Sequence, residues 1–411
     1  MGKGKPRVAI IGCGDAGLSA AFAAAKSGAE VTVISNELDY YPRCPLPYYI
    51  SGKIDRSDLV KPLRQVFKGT DIQVIFDKAV KICGDAVICE KTNVRFDKAI
   101  IATGCNAKKI SDSLSLRSIG DADEMKKRAK GGKSGKQEKP VIIGGGMLGC
   151  ELADELGGTL IEAKDRILPN FDPEFSEAMQ KELSKKVKIL TGTTKVPKSD
   201  FMISAVGVSP DTSLARASGI KCSEFGIVVD NCLQTSMPNV YAAGDCIEER
   251  CFFTKKPMHS YLGPQSERQG VIAGVNATGG DMRYEGSLNA VVAKICGVEL
   301  GITGLCSMSA EERGMKTTFG RITTKTKPDY DKGAQELILK MNFDGEKLVG
   351  CQAMGGESVD GIINLASYAM QHGATVDDLI NMAYCFSPPI CSAPNPIILC
   401  AENAKRRMKR G

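Results

Sequence analysis

A chain of 411 residues, 43% of them hydrophobic, exceeds what one hydrophobic core usually supports, so two or three domains are expected. Its net charge of +6 is mild and argues against a nucleic-acid binder, and the basic end Lys405 to Arg410 reads as a solvated helix terminus. The 16 cysteines stand singly in apolar segments, as at Cys89, Cys105, Cys150, Cys296 and Cys351, with no CxxC pair; this excludes a disulfide framework, a zinc knuckle and a dithiol centre, and predicts a reducing cytoplasm.

In chain order, the first segment has the basic and then apolar look of a signal peptide, but Asp15 and three glycines interrupt it. Pro6 stands where a myristoylation signal wants Ser or Thr. No apolar run approaches the roughly 18 residues of a membrane span. Val8 to Ile11 reads as a strand, followed by the turn Gly12-Cys-Gly14-Asp-Ala-Gly17, an Ala-rich helix to Lys26, a stop at Gly28 and a second strand from Glu30 to Ile34. This is the order that a dinucleotide site requires. One glycine makes the tight turn, one lets the backbone approach a pyrophosphate, and one allows close helix packing, while the helix N-terminus offers N–H groups to the phosphates.

The unit recurs. Pro140 to Ile143 reads as a strand, Gly144-Gly-Gly146-Met-Leu-Gly149 as the turn, then a helix to about Leu156, and a strand from Thr159 to Ile161 that closes on Glu162. An acid at that strand end favours a ribose 2′-hydroxyl over a 2′-phosphate, hence NADH over NADPH, although Lys164 and Arg166 follow closely. Between and after the two units, Asp97 to Gly104 (DKAIIATG) and Val240 to Cys246 (VYAAGDC) each read as a strand with a small-residue turn at its end.

These four segments together resemble the FAD-dependent pyridine nucleotide-disulfide reductases. The resemblance implies that the turn Ala102-Thr103-Gly104 lies beside FAD and that Asp245 binds its ribityl chain. Ser35 stands where many flavoproteins carry the acid for the adenosine ribose, which leaves Glu37 as the candidate. The stretch Cys44-Pro-Leu-Pro-Tyr-Tyr49 is similar to the single-cysteine branch of coenzyme A-disulfide reductases, NADH oxidases and polysulfide reductases. The segment Cys385 to Pro389 resembles the Tyr-Ala-Pro-Pro segment that closes that branch's dimerisation domain, so the likeness spans nearly the whole chain. In the branch that segment's tyrosine reaches the partner's redox cysteine. Phe386 holds its place here, which makes Tyr384, two residues earlier, the candidate donor. The peroxidase relatives carry a histidine in the first glycine turn, whereas this chain has Asp15.

A flavin can take a hydride from a nicotinamide and pass two electrons to a sulfur, so one thiol suffices if its partner is borrowed from a substrate or held as a sulfenic acid. Cys44 is then expected as a thiolate, its pKa lowered by a helix N-terminus and by Arg43. The alternative is a packed loop thiol. Cys13, inside the phosphate turn, reads as packed, and Cys385 and Cys391 remain a second possibility.

The fold class expected is α/β. Two Rossmann-like dinucleotide-binding domains are followed by a C-terminal α+β dimerisation domain, with FAD bound by residues 1–110 and 232–300, NAD(P) by a shortened 111–231, and 301–411 pairing two subunits. The charged stretch Lys126 to Lys139 reads as the connection to the inserted domain. The function expected is an NAD(P)H-dependent, cytoplasmic, homodimeric flavoprotein that reduces a small disulfide, persulfide or polysulfide. Two alternatives stay open: an electron-transfer subunit with a redox partner protein, and an oxygen-reducing NADH oxidase.

Overall fold

The computed structural model describes residues 4–131 and 138–410. Three five-stranded sheets organise it. The first is parallel, in the order Val240–Ala242, Lys98–Ile101, Arg7–Ile11, Glu30–Ser35, Gln73–Phe76. Its strands are apolar on both faces, as a sheet covered on both sides requires. The Ala-rich helix Asp15–Lys26 covers one face, against the helix Gly263–Ala277. Glycines let these helices approach closely: a Cβ on Gly270 would lie 2.2 Å from Ala16 O.

The second sheet is also parallel, in the order Leu114–Ser115, Phe201–Ser204, Pro140–Ile143, Thr159–Ile161, Lys188–Leu190. Between Leu190 and Phe201 the chain forms no strand. The chain passes between the first two sheets on an antiparallel pair, leaving at Cys105–Ala107 and returning at Val208–Pro210. Leu214, Ile220 and Val229 already pack into the core of the first sheet, so the chain rejoins it before residue 232. The stretch Lys126 to Lys139 is not the connection, because the strand Leu114–Ser115 precedes it within the second unit and its own first residues end the helix Ile119–Ala129. Residues 132–137 of that stretch lie outside the described residues.

The third sheet is antiparallel, in the order Val291–Ile295, Val298–Gly304, Lys347–Gly355, Glu336–Asp344, Thr317–Lys325. It starts ten residues before Gly301, where the change of sequence pattern suggested a boundary. Gly301 is instead interior to a strand, and its missing side chain makes room for the helix Val359–Gln371, since a Cβ there would lie 2.6 Å from Ile363 Cγ1. Along Glu336–Asp344, Leu337, Leu339, Met341 and Phe343 join the core with that helix. Ile338 packs with the second domain's core, and Lys340 lies on Ile338's face by the period of two.

Candidate active site

Four strand ends of the first sheet deliver the predicted residues to one cleft, at the point where the strand order reverses. Gly12 and Gly14 come from the end of Arg7–Ile11, Ser35 and Glu37 from that of Glu30–Ser35, Ala102, Thr103 and Gly104 from that of Lys98–Ile101, and Asp245 from that of Val240–Ala242. Cys44 lines the same cleft.

The glycines divide by cause. Gly12 and Gly144 have φ of 99° and 109°, and a Cβ would lie 2.2 Å from Ala102 O and 2.5 Å from Ala205 O respectively. Gly17 and Gly149 seat the helix on its own turn, a Cβ falling 2.1 Å and 1.8 Å from the carbonyl oxygens of Gly12 and Gly144. The middle glycines differ. Gly14 (φ −77°) and Gly146 (φ −71°) adopt angles open to any residue. A Cβ on Gly146 would meet nothing within 4 Å, and one on Gly14 only Arg43 Nη1 at 3.3 Å. Their lack of a side chain is therefore not a demand of the fold, and a ligand that approaches the backbone accounts for it.

Polar groups along the first cleft also fit a dinucleotide. Arg43 Nη2 lies 3.4 Å from both Glu37 carboxylate oxygens, and the guanidinium lies over the Tyr41 ring. Its Nε is buried without a partner. Ser35 Oγ bonds within its own turn, accepting from Glu37 N and donating to Glu37 O, so it is already committed, whereas the Glu37 carboxylate lines the cleft. At the other end, Asp245 accepts from Arg117 Nη2 (3.2 Å), Cys105 Sγ (3.1 Å) and Ser266 Oγ (3.2 Å). Sequence reasoning missed Arg117 and Cys105, since neither belongs to a motif.

In the second unit, Glu162 accepts from Gly145 N (2.7 Å) and Lys164 N (2.8 Å), so its carboxylate sits inside the glycine turn. Each oxygen keeps a lone pair for a further donor. Arg166 turns away, toward Asp165 and Met308. Tyr384 is not part of either cleft. It is 44% exposed on the third domain, beside Phe386 (49%) and Ile390 (66%). His259 is also exposed, stacked on Tyr261, which lines the first cleft.

Cys44 departs from expectation in its electrostatics. The helix after it, Leu46–Ser51, is six residues long and begins two positions later, with Pro45 as its N-cap. Arg43 is engaged with Glu37. Cys44 is exposed as a residue, but the surrounding cleft walls partly desolvate its thiol; this raises its pKa, and Asp15, Glu151 and Asp245 raise it further. Cys13 is pushed up to about 12, chiefly by burial, which fits a packed thiol.

Cys44 also borders a second, largely apolar groove between the three domains, with Tyr48, Ile54, Glu151, Val292 and Lys294. Tyr48 Oη donates to Glu151 Oε1 at 3.4 Å. Burial lifts the Glu151 pKa to about 7; the Tyr48 hydrogen bond opposes this and Glu155 adds to it. Glu151 carries no motif signature, whereas Tyr48 belongs to the stretch Cys44-Pro-Leu-Pro-Tyr-Tyr49 without having been singled out there.

Comparison with known proteins agrees with this geometry. Residues 6–265 match the pyridine nucleotide-disulphide oxidoreductase family and residues 291–395 match its dimerisation domain. The chain belongs to this family, whose members use FAD and NAD(P)H, and is an NAD(P)H-dependent flavoprotein oxidoreductase. An NADH oxidase of Methanocaldococcus jannaschii is 31% identical, over 98% of this chain and 99% of that protein. An NAD(P)H coenzyme A polysulfide/persulfide reductase of Pyrococcus horikoshii is 28% identical, over 98% and 99% respectively. The solved NAD-dependent persulfide reductase of A. fulgidus superposes with a TM-score of 0.92 at 26% identity, covering 98% of this chain and 84% of that one. Among the described residues, no helix is long and apolar enough to cross a membrane.

Proposed function

We propose that this protein reduces a low-molecular-weight disulfide, persulfide or polysulfide with electrons from NAD(P)H, through FAD and Cys44. The observation that carries the reading is the position of Cys44, exposed and shared between the dinucleotide cleft and a separate apolar groove. A sulfur there can face a cofactor on one side and a substrate on the other. The sulfur acceptors in the names of the P. horikoshii and A. fulgidus relatives support the same choice.

FAD bound in the first cleft supplies two-electron transfer between a nicotinamide and a sulfur. The chain's own residues do the rest. Gly14 lets the backbone meet the pyrophosphate at the N-terminus of Asp15–Lys26, Arg43 has Nε free for a phosphate oxygen, Glu37 takes ribose hydroxyls, and Asp245, held by Arg117, takes the ribityl chain. Gly146 and Glu162 do the corresponding work for NAD(P)H. Overall, R–S–S–R, NAD(P)H and one proton give two R–SH and NAD(P)⁺.

Replacing Cys44 by Ser tests the assignment. FAD should stay bound and reducible by NADH, while disulfide or polysulfide reduction falls at least roughly tenfold, because a hydroxyl is no sulfur nucleophile at neutral pH. Unchanged turnover would remove Cys44 from the reaction. The name of the M. jannaschii relative favours one second reading, reduction of oxygen. NADH oxidation followed under argon with a disulfide or polysulfide, and in air without one, separates the two: a sulfur reductase turns over in the first, an oxidase only in the second.

A further inference from the structure

The strand Val240–Ala242 leaves the first sheet at Gly244. Ala243 N still donates to Ile101 O of the neighbouring strand at 3.0 Å, but the next N–H, that of Gly244, is taken by a side chain, donating to Gln269 Oε1 at 2.8 Å. Gln269 is 2% exposed and lies one turn beyond Ser266, whose Oγ donates to Asp245 Oδ1 at 3.2 Å. One face of the helix Gly263–Ala277 therefore holds both the main chain and the side chain at this strand end. A carboxamide can sit either way round, and here Glu249 decides. Its carboxylate is buried, and among the described residues no ion pair reaches it. Oε2 accepts from Gln269 Nε2 at 2.8 Å and from Tyr284 Oη at 2.7 Å, and Oε1 accepts from Arg250 N at 2.7 Å. Burial raises the Glu249 pKa, and these three donors oppose it. Turned over, the Gln269 amide would set N–H against the Gly244 N–H and oxygen against the carboxylate. Neither Gln269 nor Glu249 lines the dinucleotide cleft.

We infer that Gln269 and Glu249 are positioning residues for FAD: a buried relay from the Gly244 N–H through Gln269 to Glu249 sets the angle at which Asp245 presents its carboxylate in the first cleft. This rests on the reading of Asp245 as a flavin ligand and adds two residues to it. Gly244 is where such control is needed. Its φ of 84° lies in the left-handed region, and a Cβ there would lie 2.7 Å from Ala16 Cβ. Asp245 is the next residue, so rotation of the Gly244 peptide swings the carboxylate directly. Its other oxygen, Oδ2, is held separately by Arg117 Nη2 and Cys105 Sγ. Those donors fix the side chain, and the relay fixes the backbone beneath it.

The test is the rate at which FAD leaves the loaded protein after dilution, followed by the rise in flavin fluorescence. Gln269→Leu removes both bonds and should release FAD at least roughly tenfold faster than the parent, the scale of a buried hydrogen bond left unmade. Glu249→Leu leaves the Gly244 partner in place but unfastened, and should speed release in the same direction. Combining Gln269→Glu with Glu249→Gln should return the rate to within roughly threefold of the parent's, because a carboxylate at 269 accepts from Gly244 N and from an amide at 249, and the Tyr284 hydroxyl can turn to accept. In an Asp245→Ala background Gln269→Leu should add less than roughly threefold, since a relay that acts through Asp245 then has nothing to position. Release at the parent's rate in Gln269→Leu, with only its urea midpoint lowered, would reduce the pair to packing and overturn the inference. The same multiplication of the rate in both backgrounds would overturn it too. Asp245→Ala that alone leaves release unchanged would remove Asp245 as a flavin ligand and the relay with it. FAD release needs no disulfide turnover, so these outcomes are separate from that of Cys44→Ser.

Discussion

Lys340 Nζ lies 2.8 Å from Asp172 Oδ2, with side-chain exposures of 6% and 0%, and this pair ties the third domain to the second. Gln352, the cross-strand neighbour of Lys340, donates to the same carboxylate at 2.7 Å, and the backbone N–H of Ser307 does so at 3.3 Å. Burial alone would raise the Asp172 pKa; Lys340 and these donors outweigh it and hold the group below its ordinary value. Lys340→Met leaves that carboxylate buried without its cation and should cost about 3–5 kcal/mol in urea unfolding. A pKa depressed on folding contributes stability above the unfolded value of about 3.9, lost as pH falls through the lower folded value. The parent should therefore lose stability below about pH 4, and the variant should show less of that loss. Equal stability of the two proteins at neutral pH would mean that the pair holds nothing.

The middle and last glycines of the second motif should separate binding from folding. At Gly146 a Cβ meets nothing in the protein, so Gly146→Ala should unfold within about 0.5 kcal/mol of the parent while NAD(P)H binding weakens at least roughly tenfold. At Gly149 a Cβ would lie 1.8 Å from Gly144 O, so Gly149→Ala should lower stability by about 1–3 kcal/mol. Differential scanning calorimetry and nucleotide titration together decide it. Undiminished NAD(P)H affinity in Gly146→Ala would show that no nucleotide approaches that backbone.

What the sequence made legible were features tied to local backbone geometry. Glycine turns, the strands that feed them and the acid closing Thr159–Ile161 follow from short-range rules, and the strand Pro140–Ile143 and the helix Met147–Leu156 have the ends expected of them. What stayed hidden depends on distant packing. Arg117 reaches Asp245 across 128 positions, and Glu151 gains its character from burial under elements contributed by all three domains. The Cys44 expectation failed for the same reason. Arg43 is adjacent in sequence, yet its guanidinium turns to Glu37, while Asp15 and Glu151, remote in sequence, set the thiol's surroundings.

Glu162 offers a test of nucleotide choice. Its carboxylate is held by Gly145 N and Lys164 N with lone pairs to spare, so it can accept from a ribose diol, and a 2′-phosphate placed there would meet a like charge. Glu162→Ala should weaken NADH more than NADPH, because loss of the repulsion partly compensates the phosphorylated cofactor. Steady-state kinetics with both nucleotides measure the ratio. A preference equal to the parent's would mean that the acid serves only its own turn.

The third domain supplies the last prediction. Tyr384, Phe386 and Ile390 lie exposed in and near a stretch without regular structure, an apolar surface on the dimerisation domain. Phe386 has no proton to give, whereas a Tyr384 phenol brought to the partner's Cys44 can donate a hydrogen bond to the thiolate that leaves the substrate. On that arrangement Tyr384→Phe keeps the ring and its packing but removes the donor. Disulfide reduction should slow by roughly ten- to a hundredfold, at or below the low end of general-acid contributions, with flavin reduction by NADH nearly unchanged. Stopped-flow measurement of the two half-reactions separates this from a packing role, and gel filtration reports the dimer. Equal losses in both half-reactions, or dissociation to monomers, would assign Tyr384 to the interface alone, because a donor to the leaving sulfur acts only after the flavin has been reduced.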